Sequence, residues 1–276
     1  MPPRAHRDAS NPAGKPMTPA PANLTKSLVN LAILAGREIM GVYATDFSAR
    51  TKSDLTPVTV ADEAAERIIL EGLARIDAQI PVISEEAASA GRIPEVGNTF
   101  YLVDPLDGTK EFVSRNGEFT VNIARIENGV PVIGVVYAPA IGRIFWGDIA
   151  NGAAEGKVAA DETIAWKKLL VRACPGDGAI VVASRSHRDS ATDDYLKTVK
   201  VAKLVSAGSS LKFCLIAAGE ADLYPRFGRT MEWDTAAGHA VLLAAGGKVM
   251  NSDGQPLCYG KRERGFDNPG FIASAA

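Results

Sequence analysis

Asp104, Pro105, Leu106, Asp107, Gly108 and Thr109 stand in a row at the end of an apolar run, TFYLVD (99–104). Two carboxylates three residues apart, with a proline fixing one backbone angle between them, can be turned toward one point. Acids placed in this way repel each other unless a cation lies between them, and the Leu106 carbonyl offers a third hard oxygen ligand. Gly108 lets a bound group approach the backbone, and the N–H groups after it would hold a phosphate if a helix begins there. The same residues also suit a plain turn whose acids bond their own backbone. On these residues alone both readings stand.

Further acids bear on that choice. Glu85 and Glu86 close PVIS (81–84) as Asp104 closes TFYLVD, so two neighbouring strands would deliver carboxylates to one sheet edge, with side-chain alternation admitting one of the two glutamates. Asp234, in Glu232-Trp233-Asp234-Thr235, stands where an N-cap precedes a helix of small residues. Asp62 completes Thr59-Val60-Ala61-Asp62, a capping box with Asp in place of Glu. Either acid would have a full structural role as a cap. Among the cations, Lys212 follows Ser209 and Ser210 into a helix, where N–H groups and an ammonium would meet an anion. Arg226 would fork onto a second phosphate. Ordinary solvated surface charge is the alternative for both. His187, in Ser184-Arg185-Ser186-His187, would stack on or hydrogen-bond a base or stay at the surface, whereas His239 and Cys214 read as packing residues.

Positioning such groups needs a layered frame. NLTKSLVNLAILAGREIMGVYA places Leu24, Leu28, Leu31, Ala35, Ile39 and Val42 on one helical stripe, and a second helix starts near Asp62. The strands are 81–84, 99–104, 119–126 and 131–138, with Asn128-Gly129 as a hairpin turn between the last two. From Gly147 to Ala165 the pattern thins, which marks a seam between an N-terminal half (23–150) bearing most of the acids and a C-terminal half (151–276) bearing the cations, in one compact unit. The second half reads as a strand at 179–184, a helix at 189–197, a strand at 201–205, a helix at 210–221, a short strand and a helix at 233–247. That alternation implies an α/β or α+β layered fold.

Composition excludes several classes. In 276 residues, 46% are hydrophobic and 22% charged, so a disordered or coiled-coil chain is excluded. A net charge of -2 lacks the basic footprint of a protein that binds nucleic acid polymers. With three cysteines and three histidines, metal chemistry must use oxygen ligands, and a reducing compartment, the cytoplasm, is the expectation. Residues 1–22 are a Pro/Ala-rich flexible tail, and no run is long enough for a signal or membrane segment.

KSDLTPVTVAD (52–62), SEE (84–86), DPLDGTKEF (104–112) and EWDTAAG (232–238), in this order, resemble the signatures of the inositol monophosphatase superfamily of metal-dependent, lithium-sensitive phosphatases. RNGEFTVNIA (115–124), SRSH (184–187) and YPR (224–226) are similar to its CysQ-type branch of bacterial 3'(2'),5'-bisphosphate nucleotidases. The resemblance, over residues 24–273, implies a five-layer αβαβα sandwich. It implies two or three Mg2+ ions held by Glu85, Asp104, the Leu106 carbonyl, Asp107 and Asp234, a third ion leaning on Asp62 and Glu85. Asp62 and Thr109 would orient and deprotonate the attacking water, and Gly108, Thr109, Ser209, Lys212, Arg226 and His187 would bind substrate. Lys52 and Asp54 fall in the same motif without an assigned role. The implied reaction is removal of the 3'-phosphate of adenosine 3',5'-bisphosphate, which links the chain to sulfur metabolism, with inositol or sugar phosphates as the alternative substrates. A non-catalytic regulator would have lost a ligand, and none is missing. The superfamily also implies a homodimer and admits a peripheral contact with the inner membrane.

Overall fold

The computed structural model describes residues 20–51, 57–184 and 189–275. The tail at 1–19, the motif residues Lys52 and Asp54, and His187 lie outside the described residues. Helix α1 (Asn23–Tyr43) is followed by an antiparallel pair, β1 (Arg50–Thr51) and β2 (Pro57–Val58), and by α2 (Val60–Ile76). Next come β3 (Val82–Ser84), the short α3 (Glu85–Ser89), β4 (Thr99–Asp107) and α4 (Thr109–Val113). Five strands follow: β5 (Thr120–Glu127), β6 (Val130–Ala138), β7 (Arg143–Asp148), β8 (Gly152–Val158) and β9 (Ile164–Lys168). The remainder alternates through β10 (Ala179–Ser184), α5 (Ser190–Leu196), β11 (Val201–Ala207), α6 (Leu211–Ala217), β12 (Leu223–Arg226) and α7 (Glu232–Ala244) to β13 (Lys248–Asn251) and β14 (Phe271–Ser274).

Strands β3 to β9 form one seven-stranded sheet in chain order, parallel between β3 and β4 and antiparallel elsewhere. The second sheet has the order β11-β10-β12-β14-β13. Helices α1 and α2 cover one face of the first sheet, α6 and α7 lie between the sheets, and α5 packs beyond β12. This is the αβαβα sandwich that the resemblance implies. Strand β4 shows how the sequence makes two cores. Tyr101 and Val103 point into the core with α1 and α2, while Phe100 and Leu102 alternate into the core with α6 and α7.

The expected hairpin at Asn128-Gly129 joins β5 and β6, with φ of 50° and 79° at the two turn residues. The stretch at 147–165 departs from expectation: it carries the end of β7, all of β8 and the start of β9, and the first sheet runs on to Lys168. Its small residues serve packing. A Cβ on Gly134 or Gly147 would meet the backbone of α7 at 2.4–2.5 Å, so these glycines let α7 lie directly on the sheet.

Candidate active site

Asp104 and Asp107 are an odd number of residues apart, so a regular strand would send them to opposite faces of the sheet. The register of β4 on β5 shifts between them: Asp104 pairs with Asn122 and Asp107 with Thr120, which places one extra residue in β4. This bulge returns both carboxyls to the face of Phe100 and Leu102, toward α7. β4 therefore continues through the expected turn rather than ending at Asp104. The chain leaves the sheet at Gly108, whose φ of 91° suits a residue without a Cβ.

β3 pairs in parallel with β4, with Ser84 beside Val103, which brings Glu85, the first residue of α3, level with Asp104. Asp234 comes from the first turn of α7. It is the third helical residue rather than the N-cap expected for it, and its Oδ2 reaches back to accept the Met231 N–H at 2.8 Å. Ser210 ties the two halves together. Its N–H (2.7 Å) and hydroxyl (3.2 Å) reach Asp107 Oδ2, and the same hydroxyl lies 2.7 Å from the Asp234 carbonyl oxygen. Asn122 donates to Asp107 Oδ2 at 3.3 Å. Glu85, Asp104, Leu106, Asp107, Gly108, Thr109, Ser209, Lys212, Arg226 and Asp234 all line one cleft.

Burial, reinforced by the crowding of like charges, sets the electrostatics. Burial pushes Asp104 well above the usual carboxylate range, and the charges of Glu85, Asp107 and Asp234 push it further. Asp234 rises for the same reasons, opposed by Met231 N–H and by Arg226. Burial raises Asp107 to about 6, with Lys212 and the Ser210 N–H holding it down against Glu85 and Glu111. Lys212 falls to about 8 because it is buried.

Asp62 is 1% exposed and its two oxygens have different partners. Oδ2 accepts the Thr59 N–H (2.8 Å) and hydroxyl (2.7 Å), while the Thr59 hydroxyl oxygen accepts the Ala61 N–H, completing the expected capping box. Oδ1 lies 3.2 Å from the Thr109 hydroxyl, which is also 3.3 Å from the Leu106 carbonyl oxygen. The cap and the candidate catalytic contact coexist, one oxygen each.

The expected cations also have internal partners. Lys212 Nζ donates to the carbonyls of Ser209 (2.5 Å) and Ala207 (3.4 Å) and lies over the Tyr224 ring. Arg226 is buried and donates from Nε and Nη2 to the carbonyls of Gly228 and Arg229. Ser209 lines the cleft with φ of 47°, and its hydroxyl has no hydrogen-bond partner among the described residues. His239 bonds Tyr259 in the core and is driven down to about 3 by burial, as a packing residue should be. Ser184, Glu111 and Arg229 also line the cleft without having been expected there. Glu111 sits within the DPLDGTKEF motif, so its position was the available signal. Arg229 had none.

No group of three or more His, Cys, Asp or Glu side chains among the described residues is already arranged to hold an ion. The acids instead have partners within the protein: Glu85 and Asp104 hydrogen-bond each other, Asp107 Oδ2 faces Ser210, and Asp234 Oδ2 faces Met231. The donor set still suits a hard divalent cation in kind and convergence. It offers oxygens alone, from four acids and a carbonyl, with a mutual repulsion that such a cation would relieve.

The 3'(2'),5'-bisphosphate nucleotidase CysQ of Salmonella typhimurium is 49% identical to this chain over 250 residues, 90% of this chain and 98% of that protein. The protein of the same name from Buchnera aphidicola is 45% identical over 251 residues, 90% and 92% of the two chains. Among solved structures, CysQ from Bacteroides thetaiotaomicron superposes with a TM-score of 0.77 at 37% identity, covering 91% of this chain and 97% of that one. An IMPase from Thermotoga maritima, at 22% identity and a TM-score of 0.75 over 92% of each chain, shares the fold. The Inositol monophosphatase family matches residues 20–274, a span that takes in every acid gathered in the cleft, and the chain belongs to that family.

Proposed function

We propose that the chain is a Mg2+-dependent 3'(2'),5'-bisphosphate nucleotidase that hydrolyses the 3'-phosphate of adenosine 3',5'-bisphosphate, yielding AMP and phosphate. Identity of 45–49% over about 90% of the chain to the CysQ nucleotidases supports the activity. The observation that carries the mechanism is the division of Asp62 between the α2 cap and Thr109, the residue that lines the cleft with the acids of β4 and α7.

Glu85, Asp104, Asp107, Asp234 and the Leu106 carbonyl would hold the ions. Bound there, Mg2+ supplies positive charge against the phosphoryl oxygens and makes a water more acidic. Thr109 places that water with its hydroxyl, and Asp62 takes the proton at Oδ1, the oxygen facing Thr109. The cap on Oδ2 fixes the carboxyl plane, so Oδ1 needs no reorientation when the proton moves. The water oxygen adds to phosphorus, the bond to the 3'-oxygen breaks, and that oxygen takes a proton from solvent. Ser209, Lys212 and Arg226 hold the second phosphate. Arg226 does so from a turn that its own bonds to Gly228 and Arg229 keep in place. The work is on a dissolved nucleotide in the cytoplasm, and no helix among the described residues is long and apolar enough to cross a membrane.

Turnover of adenosine 3',5'-bisphosphate, its sulfated form, inositol 1-phosphate and fructose 1,6-bisphosphate tests the assignment. The first two should have the highest kcat/KM, and preference for inositol 1-phosphate would overturn the nucleotidase reading. Arg226→Ala should lower the selectivity for bisphosphate over monophosphate by roughly ten- to a hundred-fold, the value of one charge-assisted contact. An equal loss on both substrates would assign Arg226 to the fold.

A further inference from the structure

Glu66 lies on α2 one turn after Asp62, is 6% exposed, and takes no part in the chemistry above. Its Oε1 accepts two backbone N–H groups, those of Glu86 and Ala87, both at 3.1 Å. These belong to the first turn of α3, a helix of five residues whose own N-cap, Ser84, makes no side-chain bond to it. So short a helix does not hold itself, and its first N–H groups need partners from elsewhere. Here the partner is a buried carboxylate on another helix, which also suits the positive end of the α3 dipole. Glu85 directly precedes the two gripped residues, and its carboxyl hydrogen-bonds Asp104.

We propose that Glu66 is a positioning residue for the metal site: it fixes the first turn of α3 and so holds the Glu85 carboxyl against Asp104. This rests on the reading of Glu85 as a metal ligand. Residues four apart share a helix face, so α2 presents Asp62 to Thr109 and Glu66 to α3 from one rigid element. The spacing between the proton acceptor and the support of the ligand is thereby set by a single helical turn.

Reach and charge separate the proposal from a general structural role. Glu66→Gln keeps a carbonyl oxygen at the same distance and loses the charge, whereas Glu66→Asp keeps the charge and draws the acceptor back by about 1.5 Å. Mn2+ titration of the full chain, without substrate, is the readout, with Glu85→Gln as reference and melting in chelator as the check on folding. Glu66→Asp should weaken Mn2+ binding by ~10–100-fold, as loss of a group supporting a ligand does. Glu66→Gln should stay within a few-fold of the parent, and Glu85→Gln should lose at least as much as Glu66→Asp. A Glu66→Gln variant that folds and loses Mn2+ binding overturns the proposal, even if Glu66→Asp fails to fold. So does parental binding by Glu66→Asp beside a damaged Glu85→Gln. Parental binding by Glu85→Gln overturns the ligand reading itself, and the proposal with it.

Discussion

The first turns of α2 and α7 are built alike and end up chemically opposite. Each has an aspartate as its third helical residue, and in each the Oδ2 atom accepts the N–H of the residue before the helix at 2.8 Å. Asp62 then meets hydroxyls, those of Thr59 and Thr109. Asp234 meets acids: burial first, and then the charges of Asp107 and Glu85, push it well above the usual carboxylate range. A helix cap fixes the plane of a carboxyl, and its neighbours then decide what the carboxyl does. In the proposed reading, the carboxyl that touches two hydroxyls takes the proton of a water, while the one among acids holds a cation.

Breaking the α7 member should have the largest effect. In Asp234→Asn the amide oxygen can still cap Met231 N–H, so the fold should survive, and fewer crowded acids should raise the melting temperature in chelator. Phosphatase activity should fall to background at saturating Mg2+, and activity within a few-fold of the parent would remove Asp234 from the ligand set. Asp62→Asn, the matching change in α2, should lower kcat by ~10²–10⁴ while leaving substrate binding in Ca2+ near parental. A binding loss with normal turnover would refute its role as base.

The pH dependence of stability sharpens the same contrast. Asp107 titrates at about 6 in the folded chain against an ordinary 3.8, so between these values the folded state binds more protons than the unfolded one. Stability in chelator should therefore fall as pH rises through this window, and Asp104 and Asp234 act in the same direction. Melting temperatures at about pH 5 and 7.5 should show this drop, with Mg2+ restoring stability mainly at the higher pH. The drop should shrink in Asp234→Asn and persist in Asp62→Asn, and a flat profile would contradict the crowding. The smallest effect belongs to Thr59→Ala, which removes a cap hydroxyl and should cost about 0.5–2 kcal/mol by thermal melting.

How far these features were legible depends on whether they are local. The capping box at Thr59 and the turn at Asn128-Gly129 follow from short-range chemistry, and both stand as read. The acids of β4 were legible as a pair, but the way they come to one face was not. A bulge is a matter of register against β5, and the sequence of β4 alone does not contain it. β7 to β9 were obscured because Gly147 and Gly156 weaken the strand pattern for the sake of neighbours, α7 in one case and Ile164 and Trp166 in the other. Asp234 reads as a cap before the helix, whereas α7 begins at Glu232, another buried acid, which binds the N–H groups of Gly260 and Lys261, and carries Asp234 as its third residue. Glu66 gave no signal, since its partners are twenty residues away in α3.

The central claim, that two like-built caps hold a base and a ligand, is tested most directly by Mn2+ titration of Asp62→Asn and Asp234→Asn side by side. Asp234→Asn should lose the tightest Mn2+ site, while Asp62→Asn should keep it within a few-fold of the parent. Equal loss in the two variants, or loss in Asp62→Asn alone, would contradict the division of roles.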